Sequence, residues 1–582
     1  MKGRYVAHAI FFLLLVAFIA SRFVSLDADP PVAQWAPGIG EEGFWGAPAR
    51  NQVLFGDWRI DEYTTQHLIM TPLYSAMLLP VFKQFGVGLS QFRLLSAIFG
   101  TLSIVLLYFY ISRESRRAAL LTVIFLFLND SFFSHNRLGL VETTLTFFIT
   151  LSAISFLLAK DNKFLIFLSG TIFAIATFVK IYGLFFILIV PFLYYVNIRK
   201  GHIKNNVKNH AKNILYFALG ALLVCAILAI FFYLPELDKV NSFGGTMGQS
   251  LKGRVIAENV FNLIISPFFA SLSTAILFIF SLLYLLQLKK PLAQVPNYQL
   301  LGIALFFVTF VASLLTTFSI RRLIPLLIPT AILAAAYLVD SKNTDKLQNT
   351  NTNALILALF ISILAQSVFF EFGIKHYFAA TLLLFTSLSL VSVLIKRSKI
   401  AAHLDYARLA ICVASFTLFV GAFKAILNVF TAASFTLPAI LAACATCFVY
   451  FTLYEKNFGS ALVFVYLIFN IIIIGSAIFY PAYSIKETSA KLSDMVGNSI
   501  VTGPPAYQLA YEGNYLPLWY SPHYALNSNV NRDKKDGINY LITKDNFDNN
   551  YMHLRPSEVN ATHISTFSIL RNQMAYHIYK IN

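Results

Sequence analysis

Residues 40–66 read GEEGFWGAPARNQVLFGDWRIDEYTTQ. The stretch holds two acidic doublets, Glu41-Glu42 and Asp61-Glu62, set among aromatic residues. It follows an apolar segment near residues 5–24, and about 20 apolar residues suffice to cross a bilayer as a helix. Segments of that kind recur along most of the chain. The 582 residues are 58% hydrophobic and 12% charged, with a mean hydropathy of +0.68. A soluble protein carries roughly a quarter charged residues. The fold class is therefore an α-helical polytopic membrane protein, and the apolar runs predict about 13–15 spans. They lie near 5–24, 91–112, 117–130, 139–159, 164–179, 182–197, 214–233, 262–287, 298–317, 323–340, 354–371, 377–395, 407–422, 434–453 and 459–480. The third is the shortest.

The first segment has a basic start and an apolar core, like a signal peptide. No small-x-small cleavage site follows and many spans come after it, so an uncleaved first helix is expected. With the N-terminus inside, the inner loops include SRESRR, NIRKGHIKNNVKNHAKN, LKKP, SKNTDK and KRSKIAAHLDYAR. The inner segments, the first four residues among them, carry about 21 Lys and Arg against about six in the short outer turns, which is the asymmetry of the positive-inside rule. The net charge of +17 thus reflects membrane topology, and nucleic acid is not an expected partner. An odd number of spans places the C-terminus outside, in a cell (inner) membrane. Cys225, Cys412, Cys444 and Cys447 all fall in apolar segments. The pair in CATC supplies too few ligands for a metal shell, so these thiols are read as packing.

Three outer segments are long: 25–90, 234–261 and 481–582. The second, with its Gly and Ser residues, reads as a loop with a short amphipathic helix. The third is polar and rich in Asn and Tyr, with strand-like runs at NSIVTG, INYLIT, HISTFSIL and MAYHIYKI. The chain thus divides into a membrane domain, 1–480, and a small extracytoplasmic α/β domain, 481–582, large enough to bury a core of its own.

Charge near membrane depth costs about 2.5–3.5 kcal/mol per residue at mid-bilayer, so what persists there tends to serve a function. The outer-side set is Glu41, Glu42, Arg50, Asp57, Asp61, Glu62, Arg137, Glu142, Lys180, Arg321 and Arg322. Cations suit a phosphate-bearing lipid, and a carboxylate suits a base that takes a proton from a hydroxyl. Bland readings stand beside each. Glu142 also fits a structural partner for Arg137, Lys180 a lysine snorkelling to the interface, and Asp61-Glu62 a solvated loop or helix cap.

The order of motifs carries a resemblance. EEGFWGAPARNQVLFGDW, then TPLYSAMLLPVFKQFGVGLSQFRLLSAIFG, resembles the first outer loop and second span of GT-C glycosyltransferases. The nearest kin by motif are lipid A aminoarabinose transferases and bacterial protein mannosyltransferase-like enzymes. RLGLVETTLTFF resembles their second acidic motif, GTIFAIATFVKIYG the segment that ends in a lysine, and IRRLIPLLIP a later basic, Pro-punctuated helix. The likeness covers about residues 1–340.

This resemblance implies inverting transfer of a sugar from a polyprenyl-phosphate donor to a glycan, lipid or protein acceptor among membrane lipids at the outer face. It assigns the base position to Glu41, eight residues before Ala49-Arg50, where the family usually has Asp. Glu42 is the local rival and Glu142 the second acidic position. Arg50, Asp57, Tyr74, Arg137, Lys180, Arg321 and Arg322 are the implied substrate contacts, with Asp61 and Glu62 ranked below them. No cofactor is implied. A divalent metal is possible in the family but not indicated, because Ile69 and Met70 stand where relatives often carry ligands; His67 then reads as interfacial. Two other classes compete. A transporter would gather polar groups at mid-membrane in paired halves, and an O-antigen ligase or polymerase would place its large outer loop late in the chain.

Overall fold

The computed structural model describes residues 2–30, 36–58, 62–160, 162–200, 207–234, 272–288, 290–314, 324–340, 481–518, 538–544, 561–569 and 574–581, with scattered positions between 463 and 479. Helix α1 is Lys2–Phe23. The long segment 25–90, expected on the outer side, is built largely of helices: α2 (Ala36–Phe55), α3 (Glu62–Met70) and α4 (Pro72–Phe85). There follow α5 (Leu89–Ile111), α6 (Arg116–Leu128), α7 (Asp130–Asn136), α8 (Val141–Ala159), α9 (Lys163–Val179), a 3₁₀ turn Ile181–Leu188 running into α10 (Ile189–Arg199), α11 (Val207–Leu228), α12 (Leu272–Gln287), α13 (Asn297–Leu314) and α14 (Ile324–Asp340).

Among the described residues, four helices are long and apolar enough to span a membrane: Leu89–Ile111, Val141–Ala159, Ile181–Ile198 and Ala211–Tyr233. Two bent pairs raise this to six if each is one span. Thr64–Met70 meets Pro72–Phe85 at 108°, and Arg116–Leu128 meets Asp130–Asn136 at 67°. Each bend has a local cause. Pro72 disfavours helical backbone at Thr71, which sits at φ −138° and ψ 50°. Asn129 leaves the helix at ψ 117° and its side chain accepts from Phe132 N–H, so it caps α7 and ends α6. The second bend accounts for the short third span. The expected spans between 354 and 453, the loop from 235 onward, and Arg321 and Arg322 lie outside the described residues.

Close helix packing follows from small residues. A Cβ on Gly170 of α9 would collide with the Phe217 carbonyl of α11, and one on Gly220 of α11 with the Phe167 carbonyl of α9. Reciprocal glycines let two backbones touch where lipid gives little hydrophobic drive for association. The core then runs through α5, α6, α8, α9, α12, α13 and α14.

The tail is a five-stranded mixed sheet, β1 (Ile500–Thr502), β2 (Leu516–Leu518), β3 (Ile538–Lys544), β4 (Ala561–Ile569) and β5 (Met574–Ile581), in the order β2-β1-β3-β5-β4. It is preceded by α15 (Ser484–Val496) and interrupted by α16 (Pro504–Gln508). The four expected strands are all present and β4 pairs antiparallel with β5 as a hairpin. β2 was not legible because Pro517 lies inside it, and it is an edge strand, where proline is tolerated.

Candidate active site

Helix α2 organises the site. Its sequence, APGIGEEGFWGAPARNQVLF, is a poor helix former, with Gly38, Gly40, Gly43, Gly46 and an internal Pro48. Packing against α3, α4 and the tail holds it instead, and Gly56 at φ +74° follows its last residue.

Glu42 is buried against Arg93, the fifth residue of α5. Arg93 Nε donates to Glu42 Oε1 at 2.6 Å and Nη2 to Oε2 at 2.9 Å. The backbone N–H of Gly139, in the turn before α8, donates to the same Oε1 at 2.7 Å. Arg93 Nη1 donates to the carbonyls of Leu26 (3.1 Å) and Ala28 (2.6 Å), just past α1. Ser96 of α5 donates to the Leu140 carbonyl of that turn at 3.0 Å. One buried pair therefore ties α1, α2, α5 and the turn before α8 together.

One helical turn along α2, Trp45 meets a second pair. Glu142, in the first turn of α8, accepts from Lys180 Nζ at 2.5 Å, and that ammonium lies 4.4 Å from the centre of the Trp45 ring. Lys180 occupies the C-cap of α9 with extended backbone, and only 8% of its side chain is exposed. This is an inward-facing lysine, not one reaching to a membrane interface. Glu142 partners Lys180, while Arg137 goes elsewhere: it donates to the carbonyls of Ser21 and Val24 at 2.7 Å and to that of Ser25, capping the end of α1 where carbonyls lack partners. Burial first, and neighbouring Arg93 second, lower the Arg137 guanidinium to about 10, so it remains a cation at neutral pH.

Other expected residues separate. His67 is buried rather than interfacial, with ring centres 4.9 Å from Trp45 and 5.6 Å from Phe44. Tyr74 is fully buried on α4. Asp57 is exposed just beyond α2. Arg50, expected at the substrate, instead turns to the tail: Nε donates to Ala510 O at 3.0 Å and Nη2 to Gly513 O (2.7 Å) and Tyr515 O (2.9 Å). Burial lowers its guanidinium to about 10, so it too stays charged. Glu41 lies in α2 immediately before Glu42 and Glu62 begins α3; the side chains of both, and all of Asp61, fall outside the described residues. Arg93 and Trp45 were missing from the expected site. Both stood in the motifs quoted above, and an arginine near the start of a span was the available signal.

The chemistry of the arrangement is that of carboxylates and cations sequestered together at the ends of spans. A comparison of folds gives its class. The chain aligns over 99% of its length with 98% of ArnT from Cupriavidus metallidurans bound to undecaprenyl phosphate, at 12% identity and a TM-score of 0.53. The apo state of the same protein gives 13% identity, the same coverage and a TM-score of 0.51. The fold is that of a multi-pass membrane glycosyltransferase of the GT-C class. Residues 79–240 match the family described as dolichyl-phosphate-mannose-protein mannosyltransferase, and this match together with the fold makes the chain a glycosyltransferase. No curated protein sequence matches it.

Proposed function

We propose that the protein moves a sugar from a polyprenyl-phosphate donor to an acceptor hydroxyl at the outer face of a cell membrane, with its N-terminus inside and its tail outside. The observation that carries this reading is the convergence on α2 of two buried acid–cation pairs, Glu42–Arg93 and Glu142–Lys180. Undecaprenyl phosphate in the structural relative supports the lipid class of the donor.

In the proposed reaction the acceptor oxygen attacks the anomeric carbon and the bond from that carbon to the phosphate oxygen breaks. The hydroxyl proton passes to a carboxylate, and the polyprenyl phosphate leaves with the bonding electrons. Configuration inverts. Glu41 is the proposed base. Glu42 spends both oxygens on Arg93 and Gly139 N–H, which suits it to fixing the helix that carries Glu41 rather than to receiving a proton. Glu142 and Lys180 place a negative and a positive charge beside Trp45, where the sugar phosphate is proposed to sit. Arg137, Arg321, Arg322, Tyr74 and Asp57 are the remaining proposed contacts. A positioned base contributes about 10²–10⁴-fold, and fixed charge at the leaving phosphate supplies a further large part. No metal or organic cofactor enters the proposed steps.

The test is transfer from a panel of undecaprenyl-phosphate hexoses, pentoses and aminopentoses into envelope glycolipids and proteins by the full-length enzyme. Glu41→Gln is expected to lose at least a hundredfold. Undiminished transfer in that variant overturns the base assignment, and movement of lipid without any sugar transfer overturns the reaction.

A further inference from the structure

The tail does more than follow the membrane domain; one of its turns grips both helices of the Glu42–Arg93 pair. Tyr511 is buried. Its hydroxyl donates to the Gly43 carbonyl, one residue past Glu42, at 3.2 Å. Its ring stacks on Phe92, the neighbour of Arg93, with centres 4.8 Å apart and planes 9° apart. A Cβ on Gly46 would occupy the place of the Tyr511 hydroxyl, and one on Gly43 would strike the backbone of Tyr507 and Gln508. The next residue, Glu512, accepts from the N–H of Leu89, the first residue of α5, at 3.2 Å. Arg50, two turns along α2, closes the grip on the carbonyls of Ala510, Gly513 and Tyr515. Tyr515 braces the turn from within through its hydroxyl bond to Ala506 O at 2.8 Å.

We infer that tail residues 506–515 are a clasp that holds α2 in register with α5, making Tyr511 and Arg50 positioning residues for glycosyl transfer. The inference rests on the reading that α2 carries the reacting carboxylate. The physical ground is geometric: α2 is a glycine-rich helix with little intrinsic preference for its shape, and a displacement of about 1 Å at a reacting group costs about a hundredfold in rate. The Glu42–Arg93 pair pins α2 at one point, and the clasp adds a second hold at Gly43 and Arg50 that fixes the helix along its length. The tail is then part of the catalytic unit, and the carboxylate is held from outside the membrane domain.

The experiment compares full-length Tyr511→Leu, Tyr511→Phe, Arg50→Lys and Glu41→Gln with the parent. Transfer is measured with the donor that proves active, and rates are expressed per undecaprenyl-phosphate-binding site, so that misfolded protein is not counted. Tyr511→Leu is expected to lower kcat at least tenfold, with the donor KM and the Kd for undecaprenyl phosphate changed less than threefold. Amide exchange over residues 43–52 rises in the same variant. Tyr511→Phe keeps the stack on Phe92 and restores most of the rate. A parental rate per site in Tyr511→Leu overturns the clasp, and so does a loss accounted for by a matching rise in donor KM. If Tyr511→Leu yields no binding sites, Arg50→Lys decides by the same criteria. The two readings separate through Glu41→Gln: parental transfer there removes the base from α2, whereas loss there with parental Tyr511→Leu removes the clasp alone.

Discussion

Arg93 meets Glu42 edge to edge, two nitrogens against two oxygens at 2.6 and 2.9 Å, inside the protein. Taking two charges out of water is expensive, and a bidentate geometry with further hydrogen bonds is what offsets that cost. Removing one partner strands the other. Arg93→Met is therefore expected to destabilise the protein by about 3–5 kcal/mol, seen as an earlier thermal transition in detergent. Glu42→Leu combined with Arg93→Met should recover much of that loss, because an apolar pair of similar volume is often neutral. Transfer should fall in the double variant even so, since α2 loses its anchor to α5. A single Arg93→Met that melts with the parent would show that the pair does not hold these helices.

Glu142 and Lys180 make a second buried pair, 38 positions apart in the chain, beside the Trp45 ring. If they serve one step, their removal is not additive. Glu142→Gln and Lys180→Met are each expected to lower transfer about a hundredfold, and the double variant should be little worse than either. Kinetics over the three variants decide the point; losses that multiply would mean that the two groups act separately.

Gly43 sets a local preference against a tertiary one. In a helix interior, Gly to Ala is worth up to about 1 kcal/mol in favour of alanine. At position 43 the added methyl would strike the backbone of Tyr507 and Gln508. Gly43→Ala is thus expected to weaken tail docking despite its helix propensity, with faster limited proteolysis around residues 503–515. Slower proteolysis would mean that the tail approaches α2 less closely than the structure places it.

The contrast explains what the sequence made legible. Apolar runs of about 20 residues announce spans whatever they pack against, so α1, α5, α8 and α9 fell close to their expected positions. α2 did not, because GIGEEGFWGAPA reads as loop by composition and becomes helix only through what surrounds it. The carbonyl that accepts from Arg50 Nε lies 460 residues away, so no local pattern could separate a substrate contact from a tie to the tail. Glu42 and Arg93, 51 apart, each stood in a quoted motif, but the fold alone brought them together. β2 was hidden by Pro517 and emerged only as the edge of a sheet.

Two aspartates that follow α1, Asp29 and Asp27, fasten the tail at its root. Helix α15 has Tyr483 at its N-cap and no cap from that side chain. Asp29, from the segment after α1, supplies one instead: its carboxylate accepts from Ser484 N–H (3.1 Å), Ser484 Oγ (2.5 Å) and Ile485 N–H (3.1 Å). Two residues earlier, Asp27 accepts from Lys486 Nζ at 2.6 Å, but the Lys486 side chain is 44% exposed. A helix cap is worth about 0.5–2 kcal/mol, and the charge at a helix N-terminus adds to it, whereas an exposed ion pair gives about 0–1 kcal/mol. Asp29→Ala is therefore expected to lower amide protection across residues 484–496 clearly, and Asp27→Asn only slightly. The bond to Asp27 is the largest influence raising the Lys486 pKa above its ordinary 10.5. Its contribution is thus fully present below pH 10.5 and is lost only as the pH climbs above that value, leaving both fastenings intact at neutral pH. Mutation, not titration, separates them, and equal loss of protection in the two variants would show that Asp29 is no more than another surface charge.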